Sequence, residues 1–158
     1  MARSKRQRRF QGLLKWMMKS GLKVLVVLMI LTWVQVFILR YVDPPFTAAM
    51  AWNWIRGKIL SQPHGLPSFH WRAMKDITPH MARAVMAAED QRFLTHYGFD
   101  FIEMKWAFRD LLSSRRLRGA STISMQAART VFLWRERSWS RKLSEAYYTL
   151  LIEIMWSK

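Results

Sequence analysis

Sixteen consecutive residues without a charge, Val24 to Leu39, constrain this chain more than any other feature. Apolar side chains occupy every position of the helical turn, so the run cannot be one face of a surface helix. It must be surrounded by apolar matter on all sides. Extended by Lys23 and Arg40, whose long stems can reach toward a membrane surface, Leu22–Val42 attains the ~20 residues that span a bilayer. Thr32 and Gln35 are mild polar defects, and Thr32 can bond its own helix backbone. The competing reading is a cleaved signal sequence. Its apolar core would be long, Arg40 interrupts it, and the small pair Ala49 and Ala51 lies well past it. An uncleaved anchor is the expectation.

Charge points the same way. The chain has 26 Lys+Arg against 10 Asp+Glu, a net +16. Residues 1–23 carry eight of those cations and no acid. A protein this basic meets nucleic acid, anionic lipid or an anionic substrate. The apolar run selects the last two, and no nucleic-acid reading module is present. Under the positive-inside rule the basic tail, residues 1–21, stays cytoplasmic and the residues beyond the span lie outside. The chain has no Cys, which excludes disulfides, thiolate nucleophiles and Cys-based zinc sites. Its four His lack the spacing of a zinc helix.

Four segments are expected: the tail 1–21, a transmembrane helix 22–42, a juxtamembrane stretch 43–74 and a domain over 75–158. Asp43-Pro44-Pro45 should end the span. Thr47–Leu60 is a short amphipathic piece rich in Trp, suited equally to the bilayer interface or to ordinary core. Ser61–Phe69, with Pro63, Gly65 and Pro67, reads as a loop. Helices occupy the rest. Thr78-Pro79 is a cap with Pro in the first turn. Asp100 and Glu103 have capping-box form before Phe101–Leu112. Arg115, Arg116 and Arg118 make a basic loop. Ser121 or Thr122 caps a helix reaching about Leu133, and Ser138 caps the last. There Leu143, Ala146, Tyr147, Leu150, Leu151 and Ile154 form an apolar stripe. No strand alternation is present, so the fold class is mainly α.

Two stretches carry the chemistry. Glu89-Asp90 ends the apolar helical run Ala84–Ala88. A carboxylate there can lose solvation and serve as a general base, or be an exposed acidic helix end. His96 reads more simply as a hydrogen-bonded structural residue, and Phe93, Tyr97 and Phe99 as packing. Gly98 suits a turn with positive φ. Gly119 through Gln126 offers hydroxyls and amides at a helix start, where anions are favoured. Arg129, Arg137, Arg141 and Lys142 come next and can hold a phosphate. They can also be a solvated basic face, or pair with Glu136 and Glu145, Arg141 and Glu145 being spaced for a helix pair.

The order Glu-Asp-x-x-Phe-x-x-His-x-Gly-Phe-Asp (Glu89 to Asp100), then Gly-x-Ser-Thr-Ile-x-x-Gln (Gly119 to Gln126), then Arg-Lys-x-x-Glu (Arg141 to Glu145) resembles glycosyltransferase family 51. Within it, the short anchored chain is most similar to the monofunctional biosynthetic transglycosylases of peptidoglycan. The resemblance implies a lysozyme-like α-helical domain in a single-pass protein of the bacterial inner membrane, its domain periplasmic. Lipid II is the implied substrate and the growing glycan strand its partner. Glu89 and Glu145 are the implied catalytic residues, Glu89 as base on the acceptor hydroxyl. Asp90, Phe93, His96, Gly119, Ser121, Thr122, Gln126, Arg129, Arg137, Arg141 and Lys142 are the implied substrate-binding residues. No protein metal ligand or certain cofactor is implied. A divalent cation, Mg²⁺ or Mn²⁺, is admitted, as are partners among cell-division or penicillin-binding proteins.

Met125-Gln126 and Arg129-Thr130 stand where the family usually has Gln-Gln and Lys-Asn. A further helical segment is expected beyond Lys158, so the domain reads as incomplete at its C-terminus. An alternative reading is therefore a membrane-held remnant that binds lipid II or cell-wall synthesis partners without catalysis. A weaker one is a lysozyme-like hydrolase of the same polymer, against which the anchor and the basic cluster both argue.

Overall fold

The computed structural model describes residues 2–59, 70–113 and 119–156. The expected loop Ser61–Phe69, the basic loop of Arg115, Arg116 and Arg118, and Lys158 lie outside the described residues. Six α-helices and one 3₁₀ turn, with no strand among the described residues, make the chain mainly α as expected. The helices are α1 (Ala2–Ile38), α2 (Ala48–Ile59), α3 (Pro79–Glu89), α4 (Phe101–Leu112), α5 (Ile123–Phe132) and α6 (Trp139–Met155).

The chain divides into two compact units, residues 1–38 and 39–158. The first is α1 alone, in which the basic tail and the apolar run are one continuous helix. Phe10–Ile38, 29 residues, is long and apolar enough to cross a membrane. At 1.5 Å per residue that is roughly 43 Å, more than the ~30 Å hydrocarbon core. Thr32 Oγ1 donates to the Met29 carbonyl at 2.8 Å, so the backbone absorbs that hydroxyl. The helix stops at Ile38, earlier than the Asp43-Pro44-Pro45 stop read from sequence, and residues 39–42 form a turn. Arg40, expected as a snorkelling end of the span, donates to the Met155 carbonyl at the close of α6. That contact, within the second unit, ties down the chain before the prolines act.

In the second unit, local chemistry sets each helix start. Thr78 caps α3, accepting from Met81 N–H, with Pro79 at the first position. Asp100 caps α4 by accepting from Ile102 and Glu103 N–H at 3.0 and 2.9 Å. Thr122, not Ser121, caps α5, and Ser138 caps α6. Each cap satisfies amides that have no partner inside the helix.

The core lies between α5 and α6. Met125, Ala128 and Phe132 recur at i, i+3 and i+7 on α5 and are buried. Ala128 lets α6 approach, and Phe132 stacks on Tyr148 with ring centroids 4.6 Å apart. On α6 the expected apolar stripe is not the buried face. Leu151 is buried, but Leu143, Leu150 and Ile154 are exposed. Arg141, Glu145, Thr149 and Ile152, at helical spacing, face inward instead. The polar face can be buried because its members satisfy one another. Arg141 and Lys142 pair with Glu145, and Thr149 Oγ1 donates to the Glu145 carbonyl at 2.7 Å. The Trp residues of α2 are not core either: Trp52 and Trp54 are exposed, with Lys58 Nζ 4.5 Å above the Trp54 ring.

Candidate functional site

Glu89 ends α3 as an exposed carboxylate, the plainer of its two readings. The Ala84–Ala88 run does not desolvate it, because Ala84, Val85, Ala87 and Ala88 are themselves exposed. Gln126, one turn into α5, donates Nε2–H to Glu89 Oε2 at 2.9 Å. This bond sets the carboxylate against α5. Beside it lies a cleft of ≈ 240 Å³, bordered by Glu89, Asp90, Arg92, Glu103, Gly119 and Ser121.

The residues immediately after Glu89 hold the loop together. Asp90 is buried and accepts from His96 Nε2 at 2.9 Å and from Ile123 N–H at 3.0 Å. His96 is therefore the structural histidine expected from sequence, with Phe93 set edge-on to its ring. Asp100 is buried too. Burial raises its pKa, but the Arg92 guanidinium and the α4 amides outweigh this and hold it below the usual aspartate range. Gly98 has φ +74°, as its turn required, and a Cβ there would lie 2.8 Å from both Glu153 Cγ and Thr149 Cγ2. Its carbonyl accepts from Thr122 Oγ1 at 2.6 Å. Tyr97, expected as packing, is 83% exposed.

Two expectations change. The α5 start was read as an anion site, but the chain's own Asp90 and Thr122 already accept from the Ile123 and Met125 amides. A phosphate would have to displace a buried carboxylate. Glu145, expected as catalytic, is fully buried with its two oxygens paired to Arg141 and to Lys142, the latter at 2.5 Å. In this arrangement its carboxylate has no exposed surface and holds two cations. It also does not fit a divalent cation, since both oxygens already face positive charge. Asp90, His96 and Asp100 have ligand atoms within 4.8 Å of one another, but their hydrogen bonds, including Arg92 on Asp100, occupy them.

The arginines converge elsewhere. Arg129 in the last turn of α5, Arg137 just before α6 and Arg141 in its first turn line a cleft of ≈ 740 Å³ closed on one side by α2. Arg135 joins them, a residue the sequence reading passed over although it lies in the same basic run. Among the described residues no carboxylate lines this cleft, although Arg141, one of its four arginines, is already paired with the buried Glu145. The N-terminus of α6, beside Arg137, adds its partial positive charge. Lys142 is not in the lining; it is committed to Glu145.

Gln126, which holds Glu89, and Arg129 and Thr130 are three and four residues apart on α5, hence on one side of it. The separation along the axis is about one turn, ~5 Å. One short helix thus carries the amide that orients the Glu89 carboxylate and, a turn on, an arginine of the cationic cleft. Such an arrangement can take a proton at one end and hold a polyanion at the other. Met125, where the related pattern has Gln, faces the core and is buried, while Gln126 faces the carboxylate. The apolar replacement therefore falls on the buried side of the helix.

Comparison with known proteins gives the family. A family described as Transglycosylase matches residues 56–158. A biosynthetic peptidoglycan transglycosylase of Ectopseudomonas mendocina is 41% identical over 146 residues, 92% of this chain and 60% of that relative. One from Caulobacter vibrioides is 42% identical over 125 residues, 79% of this chain and 52% of the relative. One from Bacteroides thetaiotaomicron is 52% identical over 88 residues, 56% of this chain and 36% of the relative. The chain spans about half the length of the curated relatives it matches. With a family match over residues 56–158 and relatives about 40–50% identical, this chain belongs to the transglycosylase family.

Proposed function

We propose that the chain works as a peptidoglycan glycosyltransferase that polymerises lipid II into glycan strands. The observation that carries this reading is the Gln126–Glu89 bond, which holds an exposed carboxylate against the helix whose last turn supplies Arg129 to the arginine cleft. Glu89 takes the proton from the acceptor 4-hydroxyl. The acceptor oxygen forms its bond to C1 of the donor, and the C1–O bond to the diphosphate breaks with inversion. Undecaprenyl diphosphate leaves with the bonding electron pair, its charge held by Arg129 and Arg137. Guanidinium groups suit that role because their fixed forks stabilise a polyanion as its charge develops.

The names of the relatives support the reaction class. The membrane-long α1 supports a substrate held in the bilayer, and the basic N-terminal tail supports a cytoplasmic N-terminus with the second unit periplasmic. The partners are then lipid II, the growing strand and the inner membrane, with cell-division or penicillin-binding proteins as further candidates. The test is polymerisation of labelled lipid II in detergent by this chain and by Glu89→Gln. Glycan from the first and none from the second is the expected result. Equal product from both would remove Glu89 as the base.

A further inference from the structure

The apolar stretch of α1 is longer than a bilayer needs, and the surplus lies at its basic end. Counted back from Ile38, the ~20 residues that cross the hydrocarbon core reach Lys19. Counted from the start of the uncharged run, the core begins just after Lys23. The hydrocarbon boundary at the basic end thus falls between Lys19 and Lys23. Lys15, Lys19 and Lys23 are spaced i, i+4 and i+8, so they share one face of the helix, and all three are exposed. They climb ~12 Å along the axis, from the edge of the hydrocarbon out through the head-group layer. Phe10, Met17 and Val24, spaced by two helical turns, lie on the opposite face and are exposed and apolar. No Asp or Glu occurs before Asp43, so no carboxylate of the first unit neutralises the lysine stripe.

Ammonium groups at that depth meet the phosphates of lipid head groups. A zwitterionic head group brings its own cation and leaves the charge of the lysines unanswered. An anionic head group answers it. A soluble polyanion reaches Lys15 but not Lys23, which stands at the edge of the hydrocarbon. We propose that Lys15, Lys19 and Lys23 form a binding face for the phosphate groups of anionic phospholipids. A helix longer than the core tilts. Tilting toward Phe10 and Met17 lowers those side chains into the leaflet and turns the lysine face up to the head groups. Lys23, the deepest of the three, reaches the same layer through its flexible stem. This rests on the reading of α1 as a membrane span, and it is independent of the chemistry assigned to Glu89 and the arginine cleft.

The test uses the full chain in phosphatidylcholine nanodiscs that contain either dye-labelled phosphatidylglycerol or equally labelled phosphatidylcholine. The chain has no Cys, so Gly12→Cys gives a single attachment point for a donor dye on the lysine face, where an added Cβ meets nothing within 4 Å. Energy transfer to labelled phosphatidylglycerol should exceed transfer to labelled phosphatidylcholine, and added salt should shrink the difference. Each of Lys15→Gln, Lys19→Gln and Lys23→Gln should lower the apparent affinity for the anionic lipid roughly fivefold. The three together should abolish the preference, while Arg3, Lys5, Arg6, Arg8 and Arg9 remain to hold the orientation. Arg at the same three positions should restore it. Equal transfer to the two lipids before any lysine is replaced would overturn the proposal. A preference that survives the triple Gln variant would belong to the cations before Phe10 and overturn the stripe. Displacement of labelled phosphatidylglycerol by soluble polyphosphate would make the stripe a site for soluble polyanions and overturn its lipid role. Failure of the chain to enter nanodiscs would overturn the stripe and the membrane span together.

Discussion

Gln126 donates to Glu89 at 2.9 Å across the junction of α3 and α5, so the exposed carboxylate is held by one hydrogen bond from a neighbouring helix. A hydrogen bond to a charged group contributes about 1.5–3 kcal/mol. Gln126→Ala should therefore lower kcat for lipid II polymerisation roughly tenfold to a hundredfold, with little change in KM. Gln126→Glu should lower it at least as much, because a second carboxylate would face the first. Steady-state kinetics of both variants checks this, and unchanged kcat in each would mean that Glu89 needs no such hold.

Glu145 is fully buried against Arg141 and Lys142. Removing one partner of a buried ion pair strands the other, at a cost of about 3–5 kcal/mol. Glu145→Gln should lose that much stability in urea unfolding monitored by far-UV circular dichroism. A variant with an unchanged unfolding midpoint and no glycan synthesis would place Glu145 in the chemistry instead.

Gly98 combines a positive φ with close approach to Thr149 and Glu153 on α6. Gly98→Ala meets both obstacles. The left-handed conformation alone costs about 1–2 kcal/mol, and the methyl would push α6 from the loop that holds Asp90 and His96. A drop in unfolding midpoint and faster proteolysis between residues 90 and 100 are expected. A midpoint equal to wild type would show that the loop can move away at no cost.

Asp100 has its pKa held down in the folded chain, chiefly by Arg92 against the opposing effect of burial. A depressed acid binds fewer protons folded than unfolded. Its stabilisation is therefore present above the ordinary aspartate pKa, about 4, and is lost as pH falls through the lower folded value. Urea midpoints should fall below about pH 4 in the wild type. Asp100→Asn should be less stable at neutral pH, with a shallower acid decline. Parallel curves for the two would remove Asp100 from the acid response.

Much of the helical framework was legible in the sequence, because it rests on interactions a few residues long. Thr78, Asp100 and Ser138 cap their helices within three residues of themselves, and the apolar run of α1 needs no partner to be recognised. The structural role of His96 was also legible. The site was less so. No local spacing showed that Asp90 and Thr122 bond residues at distant positions, Ile123 and Gly98. The α6 stripe misled for the same reason. Apolar spacing predicts which side chains share a face, not whether that face meets another helix, and here the polar face of α6 does.

The sequence alone thus determined a basic, Cys-free, mainly α chain with one membrane-long helix, and it ordered the motifs of a transglycosylase. Composition and near-neighbour geometry suffice for such properties. The tertiary structure decided which carboxylate faces solvent and which is sealed in the interior. It placed four arginines from 129 to 141 around one cleft, and it put α2 against them with an apolar groove alongside. Those outcomes depend on contacts between residues such as Trp52 and Glu136, 84 positions apart. Pairings at that distance are set by how the helices pack together, and no local spacing encodes them.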